Sequence, residues 1–261
     1  MQPTILFFDS GIGGLSVYDE VYRLIPNGHF LYCLDNEAFP YSEKTEETII
    51  QRTLKVCHKI NQQYKIDLIV VACNTASTIV LPSLRQNFSC PIVGTVPAIK
   101  PAAEISKTKQ IGLLATKGTV KREYVSNLIN KYAKDCLVEK KGSTTLVEMA
   151  EQKLRGKDIN LEELAMIVKD WQQLPQLDTV ILGCTHFPFL KEELHQCLPQ
   201  VGYFLDSGRA IGKRVYSLLT PIDNAEHCSF ENKVFSTKKL DSSIVSVMSK
   251  RNFQFMEVIS I

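Results

Sequence analysis

The stretch Leu68-Ile69-Val70-Val71-Ala72-Cys73-Asn74-Thr75-Ala76-Ser77 decides how the rest of the chain is read. A continuous apolar run, Leu68 to Ala72, stops at a cysteine and two small polar residues, and Ala76 to Phe88 continues at helical spacing. An apolar run without polar alternation suits a strand covered on both faces. The arrangement recurs at Ile181-Leu182-Gly183-Cys184-Thr185-His186, with a strand over Thr179 to Leu182 and a helix over Phe189 to Leu198. Asp9-Ser10-Gly11 and Asp206-Ser207-Gly208 form a second echo.

Outward from these segments, apolar runs and amphipathic stretches alternate. Ile5 to Phe8, Phe30 to Leu34, Pro91 to Val93, Ile111 to Ala115, Cys136 to Glu139 and Tyr203 to Leu205 read as further strands. Leu15 to Leu24, Glu43 to Tyr64, Lys121 to Tyr132, Thr145 to Leu154, Leu161 to Gln173 and Ala210 to Leu219 read as helices. Thr220 to Glu231 reads as an exposed polar loop, and the tail as strand Val234 to Ser236, helix Ser242 to Ser249 and strand Gln254 to Ile259. Such alternation predicts parallel sheets with helices on both faces. Internal repetition points to two similar lobes. The expected fold class is α/β: two pseudo-symmetric doubly wound lobes with parallel sheets. Ligands of such lobes bind at the strand ends, so the expected active site is the cleft between them.

Composition excludes several classes. The 261 residues are 44% hydrophobic and 22% charged, with a formal net charge of +2. That charge is too small to argue for a nucleic-acid partner or a membrane surface. No apolar run approaches the roughly 20 residues of a membrane helix. The start, Met1 to Phe8, lacks the pattern of a signal peptide, so a cytoplasmic location is expected. Gly11 to Gly14 is neither a GxGxxG fingerprint nor a Gly-Lys-Ser/Thr loop, which argues against a nucleotide.

Eight cysteines need an account, and none forms a CxxC pair. Cys33, Cys57, Cys90, Cys136, Cys197 and Cys228 read as small buried hydrophobes. Cys73 and Cys184 differ in context. A thiol just before a helix start meets unpaired N–H groups and the positive end of the helix dipole, and both favour the thiolate. One such thiol would suit a nucleophilic hydrolase or transferase. Two in matching places suit a reaction with two faces: one thiolate removes a Cα proton and the other thiol returns a proton from the opposite side. Asp9 and His186 are placed to tune or relay these protons. His29, His58, His195 and His227 lack that context, and Trp171 reads as core.

Five segments then carry a resemblance: Phe8 to Val17, Ala38-Phe39-Pro40-Tyr41, Val71 to Ser77, Gly94 to Ala102, and Leu182 to Pro188. Together they resemble glutamate racemase, in the cofactor-independent aspartate/glutamate racemase superfamily, and its proteobacterial branch. The resemblance implies that Cys73 and Cys184 are the catalytic pair, assisted by Asp9, His186 and Glu148. It implies substrate contacts from Asp9, Ser10, Tyr41, Ser42, Asn74, Thr75, Thr185 and His186. It implies D-glutamate made for peptidoglycan, without pyridoxal phosphate, metal or nucleotide. It allows activation by a peptidoglycan precursor and a homodimer. Residues 1–96 with 208–261 would form one lobe and 97–207 the other. Ser42 stands where the family usually has glycine, which leaves the choice between glutamate and aspartate open at that position. The alternatives are an aspartate racemase, a non-catalytic acidic amino-acid sensor and a redox switch through a Cys73–Cys184 disulfide.

Overall fold

The computed structural model describes residues 2–219 and 231–261. The expected loop from Thr220 therefore lies outside the described residues, except Glu231, as do His227 and Cys228. Backbone contacts divide the chain into two units, 1–95 with 208–261 and 96–207.

The first unit holds a six-stranded parallel sheet. Its strands are β1 (Thr4–Asp9), β2 (His29–Leu34), β3 (Leu68–Val71) and β4 (Ile92–Gly94), joined from the tail by two more. The second unit holds a four-stranded parallel sheet of β5 (Gln110–Ala115), β6 (Leu137–Gly142), β7 (Leu177–Leu182) and β8 (Tyr203–Leu205). The tail strands are β9 (Asn232–Ser236) and β10 (Phe253–Val258). The order is β10-β9-β2-β1-β3-β4 in one sheet and β6-β5-β7-β8 in the other. Apart from the tail strands, the two sheets share one topology.

Burial explains the apolar runs. Ile5, Leu6, Phe7 and Phe8 of β1 are wholly buried, and each such side chain contributes about 1.5–3 kcal/mol relative to exposure. Leu15–Leu24 turns Leu15, Val17, Tyr18 and Val21 inward. Glu46–Asn61 buries Ile49, Thr53, Val56, Cys57 and Ile60. That helix is shorter than the expected 43–64 because Tyr41–Glu43 forms a separate 3-10 turn and the Thr45 hydroxyl caps the start by accepting from Thr48 N–H. The expected helix over 76–88 is two pieces, Asn74–Ser77 and Leu81–Asn87, with Pro82 in the first turn of the second. The expected helix over 121–132 is likewise split, into Lys117–Val120 and Glu123–Tyr132. A helix over Ile99–Ile105 was not expected. Pro97 and Pro101 obscured its pattern, although proline is tolerated in a first helical turn. Among the described residues, no helix is long and apolar enough to cross a membrane.

The topology sorts the two echoes. Phe8 lies opposite Val71 in one sheet, and Leu114 lies opposite Leu182 in the other. Ala72 N–H donates to Phe8 O at 2.8 Å, and Gly183 N–H donates to Leu114 O at 2.7 Å. Cys73 and Cys184 therefore hold equivalent positions, each two residues past the third strand of its unit. The Asp-Ser-Gly echo is not equivalent: Asp9 ends β1, whereas Asp206 follows β8, whose counterpart is β4.

Candidate active site

In the first unit the candidate residues gather at the ends of β1, β2 and β3. Asp9 is buried at the end of an apolar strand. One carboxylate oxygen accepts from Ser10 N–H at 2.7 Å, and the other from Gly14 N–H at 2.6 Å. Gly14 caps the helix Leu15–Leu24. No side chain fits there, since a Cβ would lie 2.7 Å from Ala72 Cβ and 2.9 Å from Ala72 O. The Cys73 sulfur accepts from Ala76 N–H at 3.5 Å, as the cap of Asn74–Ser77, and lies 3.9 Å from Ser10 Oγ. Asn74 and Thr75 are buried beside it. The Nδ2 of Asn74 and the Oγ of Ser42 are buried polar atoms with no hydrogen-bond partner among the described residues. A donor left so is costly unless a ligand engages it.

Tyr41 is buried, and its hydroxyl is engaged: it donates to Asp35 Oδ2 at 2.6 Å. Burial, then the neighbouring Asp35, holds this phenol well above its ordinary value. The Tyr41 hydroxyl is thus committed to Asp35. Asp35 was missed from sequence. It follows β2 directly, and its N–H donates to Asp9 O at 2.9 Å. The strand-end rule that selected Cys73 also points to it.

In the second unit Cys184, Thr185 and His186 are buried. Two expectations are corrected here. Cys184 was expected just before a helix, as Cys73 is. Instead Phe187–Leu190 is a 3-10 turn, and the helix Lys191–Cys197 starts later. The Cys184 sulfur meets an imidazole instead of a helix start, with His186 Nδ1 at 3.7 Å. The resemblance implied Glu148 as a third residue assisting the cysteines, but Glu148 is exposed. Glu151, one turn further along Thr145–Leu154, faces inward, with its Oε1 2.9 Å from His186 Nε2 and its Oε2 accepting from Arg155 at 3.2 Å. The helix phase puts Met149, Ala150 and Glu151 inside and leaves Glu148 outside.

Burial alone would lower the basicity of His186. Its hydrogen bonds to Cys184 and Glu151 outweigh burial and hold it well above the ordinary imidazole value of 6.5. A protonated ring donates at both nitrogens, to the carboxylate on one side and the sulfur on the other. The two cysteines thus have unlike partners: backbone N–H and a hydroxyl at Cys73, an imidazole–carboxylate pair at Cys184. The other described cysteines are thiols in apolar settings; burial pushes Cys33 and Cys57 upward, and Cys90 and Cys136 are half-buried.

The sequence pattern of the Asp/Glu/Hydantoin racemase family matches residues 12–212. The chain belongs to this family. Among its racemase relatives, the glutamate racemase of Histophilus somni (strain 129Pt) is 59% identical over 262 residues, covering 100% of this chain and 98% of that protein. The glutamate racemase of Pasteurella multocida (strain Pm70) is 63% identical over 237 residues, covering 91% of this chain and 88% of that one. The crystal structure of Escherichia coli glutamate racemase, in complex with L-glutamate and the activator UDP-MurNAc-ala, superposes with a TM-score of 0.94 at 44% identity, covering 100% of this chain and 99% of that one.

Proposed function

We propose that this chain interconverts L- and D-glutamate with Cys73 and Cys184 as an opposed acid/base pair, and so supplies D-glutamate for peptidoglycan. The reaction belongs in the cytoplasm, where amino-acid precursors of the wall are assembled. One observation carries the mechanism: the two cysteines hold equivalent places in two sheets of one topology, and each has its own polar partner. Equivalent groups suit a substrate that is the mirror image of its product.

One thiolate takes the Cα proton: the C–H bond breaks, an S–H bond forms, and the electron pair is shared with the α-carboxylate. The other thiol gives its proton to the opposite face and becomes a thiolate. The enzyme is then set for the reverse reaction. His186, held protonated by Glu151, supports negative charge on the Cys184 sulfur. The Ala76 N–H and the Ser10 hydroxyl do the corresponding work beside Cys73. Asn74 offers its unsatisfied amide to a substrate oxygen.

Cα exchange in deuterated water tests the reading. Glutamate exchanges in the wild-type protein, and neither Cys73→Ser nor Cys184→Ser racemises it. Exchange of aspartate but not glutamate would overturn the substrate; full exchange in both variants would overturn the two-cysteine mechanism, and no exchange in the wild type would leave an acidic amino-acid sensor.

A second site supports activation. A cavity of about 590 Å³ in the first unit is lined by Arg85, Arg214, Cys90, Gly94 and Ile211. Neither arginine is in an ion pair among the described residues, and guanidinium suits phosphate oxygens. We place a UDP-linked activator there. Arg85→Ala should raise the concentration of UDP-MurNAc-ala needed for half-maximal activation, and an unchanged requirement would move the site elsewhere.

A further inference from the structure

We propose that Thr237, in the C-terminal tail, is a positioning residue for racemisation, acting through Asp35 on the turn that carries Tyr41 and Ser42. The proposal rests on the reading of that turn as part of the glutamate site. Thr237 follows β9 and lies outside residues 12–212, the part matched by the family pattern. Its N–H donates to Leu34 O at 3.1 Å. Its hydroxyl donates to Asp35 Oδ1 at 2.7 Å and accepts from Glu37 N–H at 3.1 Å. Asn36 and Lys238 exchange two further bonds, each 2.9 Å, so the tail is laced to the end of β2.

Asp35 is fully buried. It also accepts from Arg52 Nε at 2.7 Å, Arg52 Nη2 at 2.8 Å and the Tyr41 hydroxyl at 2.6 Å. A carboxylate has about four lone-pair sites, so these donors fill it. Two of its fixings, Thr237 and Arg52, determine where it presents the oxygen that holds Tyr41. The Tyr41 ring packs on Phe8, with centroids 6.1 Å apart, and the turn Tyr41–Glu43 packs on the helix that starts from Cys73. A shift of the carboxylate therefore reaches the turn beside the catalytic thiol.

Comparison of the units isolates the device. Ser143 is the counterpart of Asp35: its N–H donates to Ala115 O at 3.0 Å, as that of Asp35 donates to Asp9 O. Among the described residues, the second sheet has no strands matching β9 and β10, and a serine stands in place of the carboxylate. The tail strands of the first unit thus deliver a residue to the end of β2 as well as extend the sheet.

The test compares wild-type protein with Thr237→Val, Thr237→Ser, Tyr41→Phe and the Thr237→Val/Tyr41→Phe double variant. KM and kcat for L-glutamate are followed by racemisation, with the thermal midpoint of each protein. Loss of one buried hydrogen bond in Thr237→Val should raise KM about fivefold. Thr237→Ser, which keeps the hydroxyl, should restore it. In the Tyr41→Phe background Thr237→Val should add nothing, since both strike one clamp. Unchanged KM in Thr237→Val, or effects that multiply in the double variant, would overturn the proposal and leave Thr237 a structural staple. Should Thr237→Val fail to fold, Arg52→Gln strikes the same carboxylate, with the same two outcomes in the Tyr41→Phe background. Absence of glutamate racemisation in the wild type would instead strike the proposed function itself.

Discussion

Replacing Glu151 with glutamine removes one charge and one acceptor oxygen. The amide oxygen can still accept from His186 Nε2, which lies 2.9 Å from Oε1, while the contact of Arg155 with Oε2 at 3.2 Å is lost at every pH. Both members of the pair are nearly buried, at 3% exposure for His186 and 8% for Glu151. Solvent screening is therefore weak, and the lost interaction is that of a hydrogen bond to a charged group, about 1.5–3 kcal/mol. The sign with pH follows from the direction of the shift. His186 is held above its ordinary 6.5, so the folded state binds a proton more tightly than the unfolded chain. The stabilisation is complete below 6.5 and is lost as pH rises through the higher folded-state value. Urea unfolding of wild type and Glu151→Gln, repeated from pH 6 to pH 10, reads this directly. The gap between the two proteins should be about 2 kcal/mol at pH 6 and should shrink as pH rises. A gap independent of pH, or one that widens with pH, would refute the protonated His186 on which the support of Cys184 rests.

Other outcomes follow from single contacts. Gly14→Ala puts a Cβ 2.7 Å from Ala72 Cβ and 2.9 Å from a backbone oxygen. It should lower stability by about 1–3 kcal/mol and, by moving the N–H that holds Asp9, reduce kcat; unfolding and rate measurements check both. His29 is buried and held below 6.5, chiefly by burial, so its contribution has the opposite slope to that of His186. Stability is present above 6.5 and is lost as pH falls toward the folded-state value. His29→Gln should flatten the fall of the urea midpoint between pH 7 and pH 5, and an unchanged slope would exclude His29 as the titrating group.

How much of this was legible in the sequence depends on what each residue's role requires. Cys73 could be read because strand, cysteine and helix start are consecutive in the chain. Cys184 was found by the same pattern, and His186, named beside it from sequence, lies 3.7 Å from its sulfur; what the pattern did not give is the 3-10 turn Phe187–Leu190 that stands between this thiol and the helix. Glu151 and Glu148 lie three residues apart on one amphipathic helix, and only the packed face of that helix separates them. Asp35 and Thr237 are 202 residues apart. Their bond depends on β9 pairing with β2, a crossover that no local spacing encodes. The repeat implied two sheets alike, whereas their strand order and the register that equates Cys73 with Cys184 needed the pairing itself.

The central claim is that each thiol serves one face of Cα. Its most direct test is elimination from the two enantiomers of a glutamate analogue that carries a leaving group at Cβ. Such a reaction needs only the first proton removal, so one thiolate suffices. The account predicts that Cys73→Ser keeps elimination from one enantiomer and loses it from the other, and that Cys184→Ser shows the reverse pattern. Equal loss from both enantiomers in either variant would contradict it.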